Sequence, residues 1–180
     1  MLKAEECVLV IVDVQGQLAR VMHHSEQLHH KLEVLIKGIQ LFDIPILWLE
    51  QIPEKLGPTS ENLAMELTKT TEAITKHHFS GWQADAFRER LSAMQQKQII
   101  LAGIETHVCV YQTCRDLLAN GYQTHLVADA MSSREQSNKV SGLEMMLSHG
   151  AMQTNVESLL FELQHQAKGD RFKALLNLIK

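Results

Sequence analysis

An aspartate, a lysine and a cysteine stand where apolar runs of the chain stop. Asp13 closes Cys7–Val12 (CVLVIV), Lys76 closes Ala73-Ile74-Thr75, and Cys109 lies just beyond the run that ends at Gly103. A carboxylate at the end of a wholly apolar run is buried at a cost unless it has a partner or a proton to handle, so Asp13 reads as an acid, a base or a metal ligand. The competing reading is an aspartate that caps the next loop through its amides. With Thr106 as N-cap, Cys109 falls at the third helical position, where free amides and the helix dipole favour a thiolate nucleophile. A small residue packing that turn is the alternative. Cys7 opens a buried strand, and Cys114 lies about 140° round an ideal helix from Cys109, so both read as packing residues. A strand-end lysine is by default solvated, but the stem of Lys76 can carry its ammonium across roughly two strand spacings of about 4.8 Å each. Asp13, Lys76 and Cys109 would then form a charge-balanced triad.

The neighbours of these residues suggest a pocket. His78, Phe79 and Trp82 follow Lys76, and His107 adjoins the cysteine's turn. Leu18, Trp82 and Tyr111 serve as apolar pocket walls or as core, and Gln51 can hydrogen-bond a polar substrate group.

Positioning such residues requires a sheet. Six times an apolar run of strand length precedes a stretch of helical period, the pattern of a parallel sheet covered on both faces. Strands are expected at 7–12, 46–49, 73–77, 98–103, 123–128 and 151–154. Helices are expected at 25–41, from about Ser60, at 84–94, at 106–120 with Gly121 as its stop, from Ser133 to Gly150, from a Thr154–Glu157 capping box, and over a turn or two from Arg171. Residues 14–24 read as a polar connection and 51–59 as a loop. The result is a three-layer α/β/α, Rossmann-like domain over residues 1–180, with its site at the strand C-termini. That rule selects Asp13, Glu50, Gln51 and residues 76–79, 105–109 and 129–133.

Composition sets the outer limits. The chain has 180 residues, of which 45% are hydrophobic, enough for one substantial core. Its 17 Lys and Arg against 21 Asp and Glu give a net charge of −4, with no basic excess for nucleic acid. No apolar run approaches the eighteen or so residues of a membrane span. The acidic start Met1–Glu6 does not read as a signal peptide, so a cytoplasmic setting is expected. The three cysteines, an odd number, suit free thiols in a reducing compartment. Ten histidines invite a metal reading, but the pairs His23-His24, His29-His30 and His77-His78 match no ligand spacing, and no metal is expected.

Taken in order and spacing, Val10-Ile-Val-Asp-Val-Gln15, Lys76, Gly103-Ile-Glu-Thr-His-Val-Cys-Val110 and Val127-Ala-Asp-Ala130 resemble the isochorismatase-like hydrolases, a superfamily that includes nicotinamidases and other cysteine amidases. Glu50-Gln-x-Pro, Leu56-Gly-Pro-Thr59 and Ser132-Ser-Arg134 look most like its isochorismatase-domain-containing branch. The resemblance implies a six-stranded parallel sheet of order 3-2-1-4-5-6. It also implies a cofactor-independent mechanism in which Asp13 takes the Cys109 proton and Lys76 holds the pair. Backbone amides of Glu105 and Cys109 would bind the oxyanion, with a cis Ile104–Glu105 bond, and a small amide would pass through a thioester. Nicotinamidases carry an Asp and several His after the second strand as metal ligands, whereas residues 50–57 hold no His, so that site is not expected here.

Small α/β domains often pair, and relatives assemble, so a homo-oligomer is expected, with no nucleic-acid or membrane partner. Two other readings fit the same residues. One is a binding or assembly module without turnover, presenting Trp48, Met145 and Met146. The other is a thiol redox protein using Cys109 and Cys114.

Overall fold

The computed structural model describes residues 1–180. Its strands are β1 (Cys7–Val12), β2 (Ile46–Gln51), β3 (Ala73–Lys76), β4 (Gln98–Ile104), β5 (Gln123–Ser132) and β6 (Met152–Thr154), all parallel, in the order β3-β2-β1-β4-β5-β6. Its helices are α1 (Gly16–Arg20), α2 (Ser25–Gln40), α3 (Pro53–Leu56), α4 (Glu61–Leu67), α5 (Asp85–Ala93), α6 (Tyr111–Ala119), α7 (Gln136–Ser148), α8 (Val156–Gln164) and α9 (Asp170–Ile179).

The two faces of β1 explain the three layers. Side chains alternate along a strand, and an all-apolar strand therefore needs cover on both sides. Leu9 and Ile11 pack with Leu32, Leu35, Ile36 and Ile39 of α2, Leu63 of α4, Leu159 of α8 and Leu175 of α9. Val8, Val10 and Val12 pack with Phe87 and Leu91 of α5, Cys114 and Leu117 of α6 and Met146 of α7. The order reverses at β1, whose successor β2 lies on one side and β4 on the other. Side chains at the C-terminal ends of β1, β3 and β4 converge on that switch point.

Several local expectations need correction. Residues 16–20 form a helical turn, not only a polar connection, and the expected loop at 51–59 holds α3, with Pro53 at its first position where the missing N–H costs nothing. α7 starts at Gln136 with Glu135 as N-cap, not Ser133. α8 is capped by Asn155, whose side chain accepts from the Ser158 amide at 2.9 Å, and not by Thr154. The tail forms the ten-residue α9, longer than a turn or two, because Leu175 closes one face of the core. Trp48 and Met146 are buried, so neither offers the assembly surface suggested by their types. No helix is long and apolar enough to cross a membrane.

Candidate active site

Asp13 leaves β1 with φ +50°, a left-handed conformation that aspartate tolerates better than most non-glycine residues. Its amide donates to the Leu49 carbonyl at 3.2 Å, tying the end of β1 to β2. On the other side Gly103 has φ +121°, and a Cβ there would stand 2.2 Å from the Val12 carbonyl oxygen, so only glycine lets β4 approach the end of β1. The Ile104–Glu105 peptide is cis. Residues 106–110 then wind as one π-helical turn with Glu105, not Thr106, as N-cap. The Glu105 carbonyl accepts from the Val108 amide at 3.1 Å and the Val110 amide at 3.2 Å, passing over Cys109 between them. Glu105 Oε1 accepts from the Arg134 amide and its Nε, each at 3.1 Å, which binds this turn to the segment after β5.

Lys76 reaches across from β3. Its Nζ donates to Asp13 Oδ2 at 2.6 Å, to Gln51 Oε1 at 2.5 Å and to the His78 carbonyl at 3.2 Å, using all three ammonium protons. Gln51 cannot turn its amide round: Nε2 donates to the His77 carbonyl at 2.8 Å, so Oε1 must face the lysine. Gln15 holds the Gln51 main chain in turn, its Oε1 accepting from the Gln51 backbone N–H at 2.6 Å and its Nε2 donating to the Gln51 backbone carbonyl at 3.2 Å. Residue types and spacing alone do not mark Gln15 and Gln51 as a pair. Its only signal is two polar side chains beside strand ends that otherwise run apolar.

Asp13 and Lys76 are each 2% exposed and Cys109 is 8% exposed, so the three groups meet almost out of water. Burial raises the Asp13 pKa, opposed by the Lys76 ammonium, and the carboxyl and the Cys109 thiol each shift the other. Burial first, and then the Asp13 charge, push the Cys109 thiol up to about 12. Burial works against the thiolate that the helix start favours, so a base is needed to take the proton, the part that the resemblance gives to Asp13. Asp13 Oδ1 is buried and takes no part in the lysine contact, which Oδ2 makes. Glu50, also buried, is held by the Thr59 amide and hydroxyl, both at 2.7 Å.

The other candidates divide. His78 and Phe79 are exposed beside Lys76, and His107 is half-buried with Nδ1 3.0 Å from Ser133 Oγ. The Gln51 side chain is engaged by Lys76 and the His77 carbonyl. Leu18 packs against the apolar core. Trp82 turns away to meet the ring of Tyr122 at 5.8 Å, at the opposite end of the sheet where β5 begins. Asp129 lies within β5, which runs on past the expected end at Ala128. Its carboxylate pairs with Lys31 at 3.3 Å and accepts from the Val156 amide at 2.9 Å, facing α2 and α8 and not the switch point. Cys7 and Cys114 are fully buried. No group of three or more His, Cys, Asp or Glu side chains could hold a metal ion.

Comparison with known proteins agrees with this architecture. The isochorismatase domain matches residues 7–158. The secreted isochorismatase effector Isc1 of Phytophthora sojae is 34% identical over 176 residues, spanning 96% of this chain and 84% of its own. Among solved structures, the MAR1 ribonuclease of Caenorhabditis elegans superposes with a TM-score of 0.92 at 30% identity, over 99% of this chain and 91% of its own. YcaC of Escherichia coli, described as an octameric hydrolase of unknown specificity, gives a TM-score of 0.92 at 20% identity, over 98% and 89%.

Proposed function

The chain belongs to the isochorismatase family, and we propose that it is a cysteine hydrolase that cleaves the C–N bond of a small amide without a cofactor. The observation that carries this reading is the buried contact of Lys76 Nζ with Asp13 Oδ2 at 2.6 Å beside a buried cysteine. Asp13 accepts the Cys109 proton as Sγ attacks the carbonyl carbon. The negative charge that Asp13 gives up in taking the proton passes through sulfur to the carbonyl oxygen. The site thus exchanges a thiol and a carboxylate for a thioether bond, a carboxylic acid and an oxyanion with no change in net charge. That constancy matters where a new unpaired charge would cost several kcal/mol. The amides of Glu105 and Cys109 receive the oxyanion, and the Glu105 carbonyl leaves the Cys109 amide to it. Protonated Asp13 then gives its proton to the departing amine, and the C–N bond breaks to leave a thioester. Water attacks the thioester as Asp13 takes its proton, releasing the carboxylic acid and the thiol.

RNA cleavage, suggested by the name of the worm structure, fits less well with a net charge of −4 and with a nucleophile held almost out of water. Residues 1–180 act as one catalytic domain. The octameric state of YcaC supports assembly of this chain into a homo-oligomer, which sedimentation velocity will read directly. A cytoplasmic setting is the reading favoured by three free cysteines, although the effector relative is secreted.

The test is intact-mass spectrometry after acid quench with a panel of small primary amides. An adduct that vanishes in Cys109→Ala supports acyl transfer, and its mass gives the acyl group. No Cys109-dependent adduct and no turnover with any amide removes the amidase reading in favour of a binding module.

A further inference from the structure

Apart from the buried set, an open cleft of about 380 Å³ lies between α1, the start of α2 and the segment that leads into α4. None of Asp13, Lys76 and Cys109 lines it, and its walls are polar groups and main chain apart from Pro58. Two of its residues, His29 of α2 and Ser60 at the entry to α4, are hydrogen-bonded to each other.

The surroundings of the imidazole fix the protons of this pair. His29 Nδ1 stands 2.7 Å from the Ser25 carbonyl, which can only accept, so the neutral ring carries its proton there. Nε2 is then a bare acceptor, and at 2.8 Å it receives the hydrogen bond of the Ser60 hydroxyl. The Val14 carbonyl, 3.4 Å from the same Oγ, competes poorly for that proton. Ser60 is the N-cap of α4, a place where serine ordinarily turns its oxygen onto the helix amides, yet this side chain caps nothing. Its hydroxyl is given to the histidine instead. The backbone holds both partners still: the Ser60 amide donates to the Val14 carbonyl at 2.9 Å, the Gly16 amide donates to the Pro58 carbonyl at 3.0 Å, and His29 sits in the second turn of the sixteen-residue α2. A hydroxyl bonded to a base that a third group orients is the arrangement that activates a serine.

We propose that Ser60 and His29 form a second hydrolytic site, in which Ser60 Oγ attacks the carbonyl carbon of a small, uncharged carboxylic ester. As the Oγ–carbon bond forms, the hydroxyl proton passes to His29 Nε2. The ester C–O bond then breaks, and His29 returns the proton to the departing alcohol, leaving acyl-Ser60. Water adds to the acyl carbon as its proton passes to Nε2; the Oγ–carbon bond breaks, Ser60 regains that proton and the carboxylic acid leaves. The orienting group is a neutral carbonyl, which steadies an imidazolium less than a carboxylate would, and this suits an ester, with its readier leaving group, better than an amide. Arg20 and Glu61, the two charged side chains of the cleft, cancel, so no net charge there selects an ionic substrate. Cys109 takes no part, so this site stands or falls independently of the proposed amidase.

Diisopropyl fluorophosphate reads the serine directly in the wild-type protein. The Oγ–phosphorus bond forms as the phosphorus–fluorine bond breaks, fluoride leaves, and the hydroxyl proton passes to His29. Peptide mapping should find the diisopropylphosphoryl group on Ser60 about 100-fold ahead of any other serine, the lead that a general base gives, and His29→Gln should erase that lead. In Cys109→Ala, p-nitrophenyl acetate should still be hydrolysed through acetyl-Ser60, and adding Ser60→Ala should remove that turnover. The map of the wild type needs no substitution, so a variant that fails to fold leaves the main result readable. If Ser60 of the folded wild type is labelled no faster than in the protein unfolded in urea, the hydrogen bond is only a strut between α2 and α4 and the inference is overturned. Ester hydrolysis that depends on Cys109 and not on Ser60 overturns it equally.

Discussion

Asp13 has two effects on Cys109 that pull apart on mutation. Its charge raises the thiol pKa, while the oxygen that Lys76 leaves can take the thiol proton. In Asp13→Asn the ammonium beside the thiol is no longer answered, so the thiol titrates below the value of about 12 that it has with Asp13 in place. Alkylation of Cys109 against pH should therefore shift to lower pH, while amide turnover falls by about 100-fold or more for want of a general base. A thiol curve unmoved by the change would mean that the two groups do not interact. In the wild type the base is the carboxylate form, and burial raises its pKa from the ordinary 3.8. The rate should accordingly rise with pH through a limb displaced above the usual carboxylate range, as a kcat/KM profile will show. The identities of these residues were legible because each stops an apolar run. The protonation state of Cys109 was not, because it depends on how deep the fold buries the sulfur. Gln51 shows the same limit: its type announced a hydrogen-bonding group, but only packing reveals that the lysine takes its oxygen. Gln51→Leu would leave one ammonium proton unpaired in a buried site, costing about 1–3 kcal/mol in urea unfolding and lowering turnover.

Among the elements, β1, β2 and β4 were plain in the sequence, since an unbroken apolar run flanked by polar residues has few other uses in a chain of this size. The π-helical turn at 106–110 was not. Its shape follows from contacts made by residues distant in sequence, Arg134 on Glu105 and Gly142 against His107. At Gly142 of α7 a Cβ would stand 2.8 Å from His107 N and 2.9 Å from its Cα. These are backbone atoms and cannot rotate away. Gly142→Ala should therefore push α7 off the turn, destabilise the fold by about 1–3 kcal/mol and reduce turnover, as unfolding and steady-state assays would reveal. Equal activity and stability in the variant would show that α7 does not brace the nucleophile. Trp82 was misplaced for a related reason: sequence proximity to Lys76 says nothing about a chain that turns and runs down beside α6.

For the whole molecule, the layered architecture was foreseeable from alternation alone, while assembly and substrate were not, because both depend on surfaces whose shape composition does not encode. A global property does follow from the three cysteines. All are buried, and burial raises each from the ordinary 9.0 to about 12. Between these values the unfolded chain releases three protons that the folded chain keeps, so the folded state loses stability as pH climbs. The thiol contribution is about 4 kcal/mol per pH unit at its steepest. Urea midpoints from pH 8.5 upward should fall, and should fall less in Cys114→Ala; equal slopes would place the loss elsewhere.

The cage around Lys76 has a consequence for chemistry done from outside. An amine whose three N–H bonds are spent inside the protein, and whose side chain is closed to solvent, offers no lone pair to an acylating reagent. Treated with acetic anhydride, the folded protein should gather acetyl groups on its surface lysines and leave this one silent. The first appearance of acetyl-Lys76 in a peptide map would then record the moment at which the site opens.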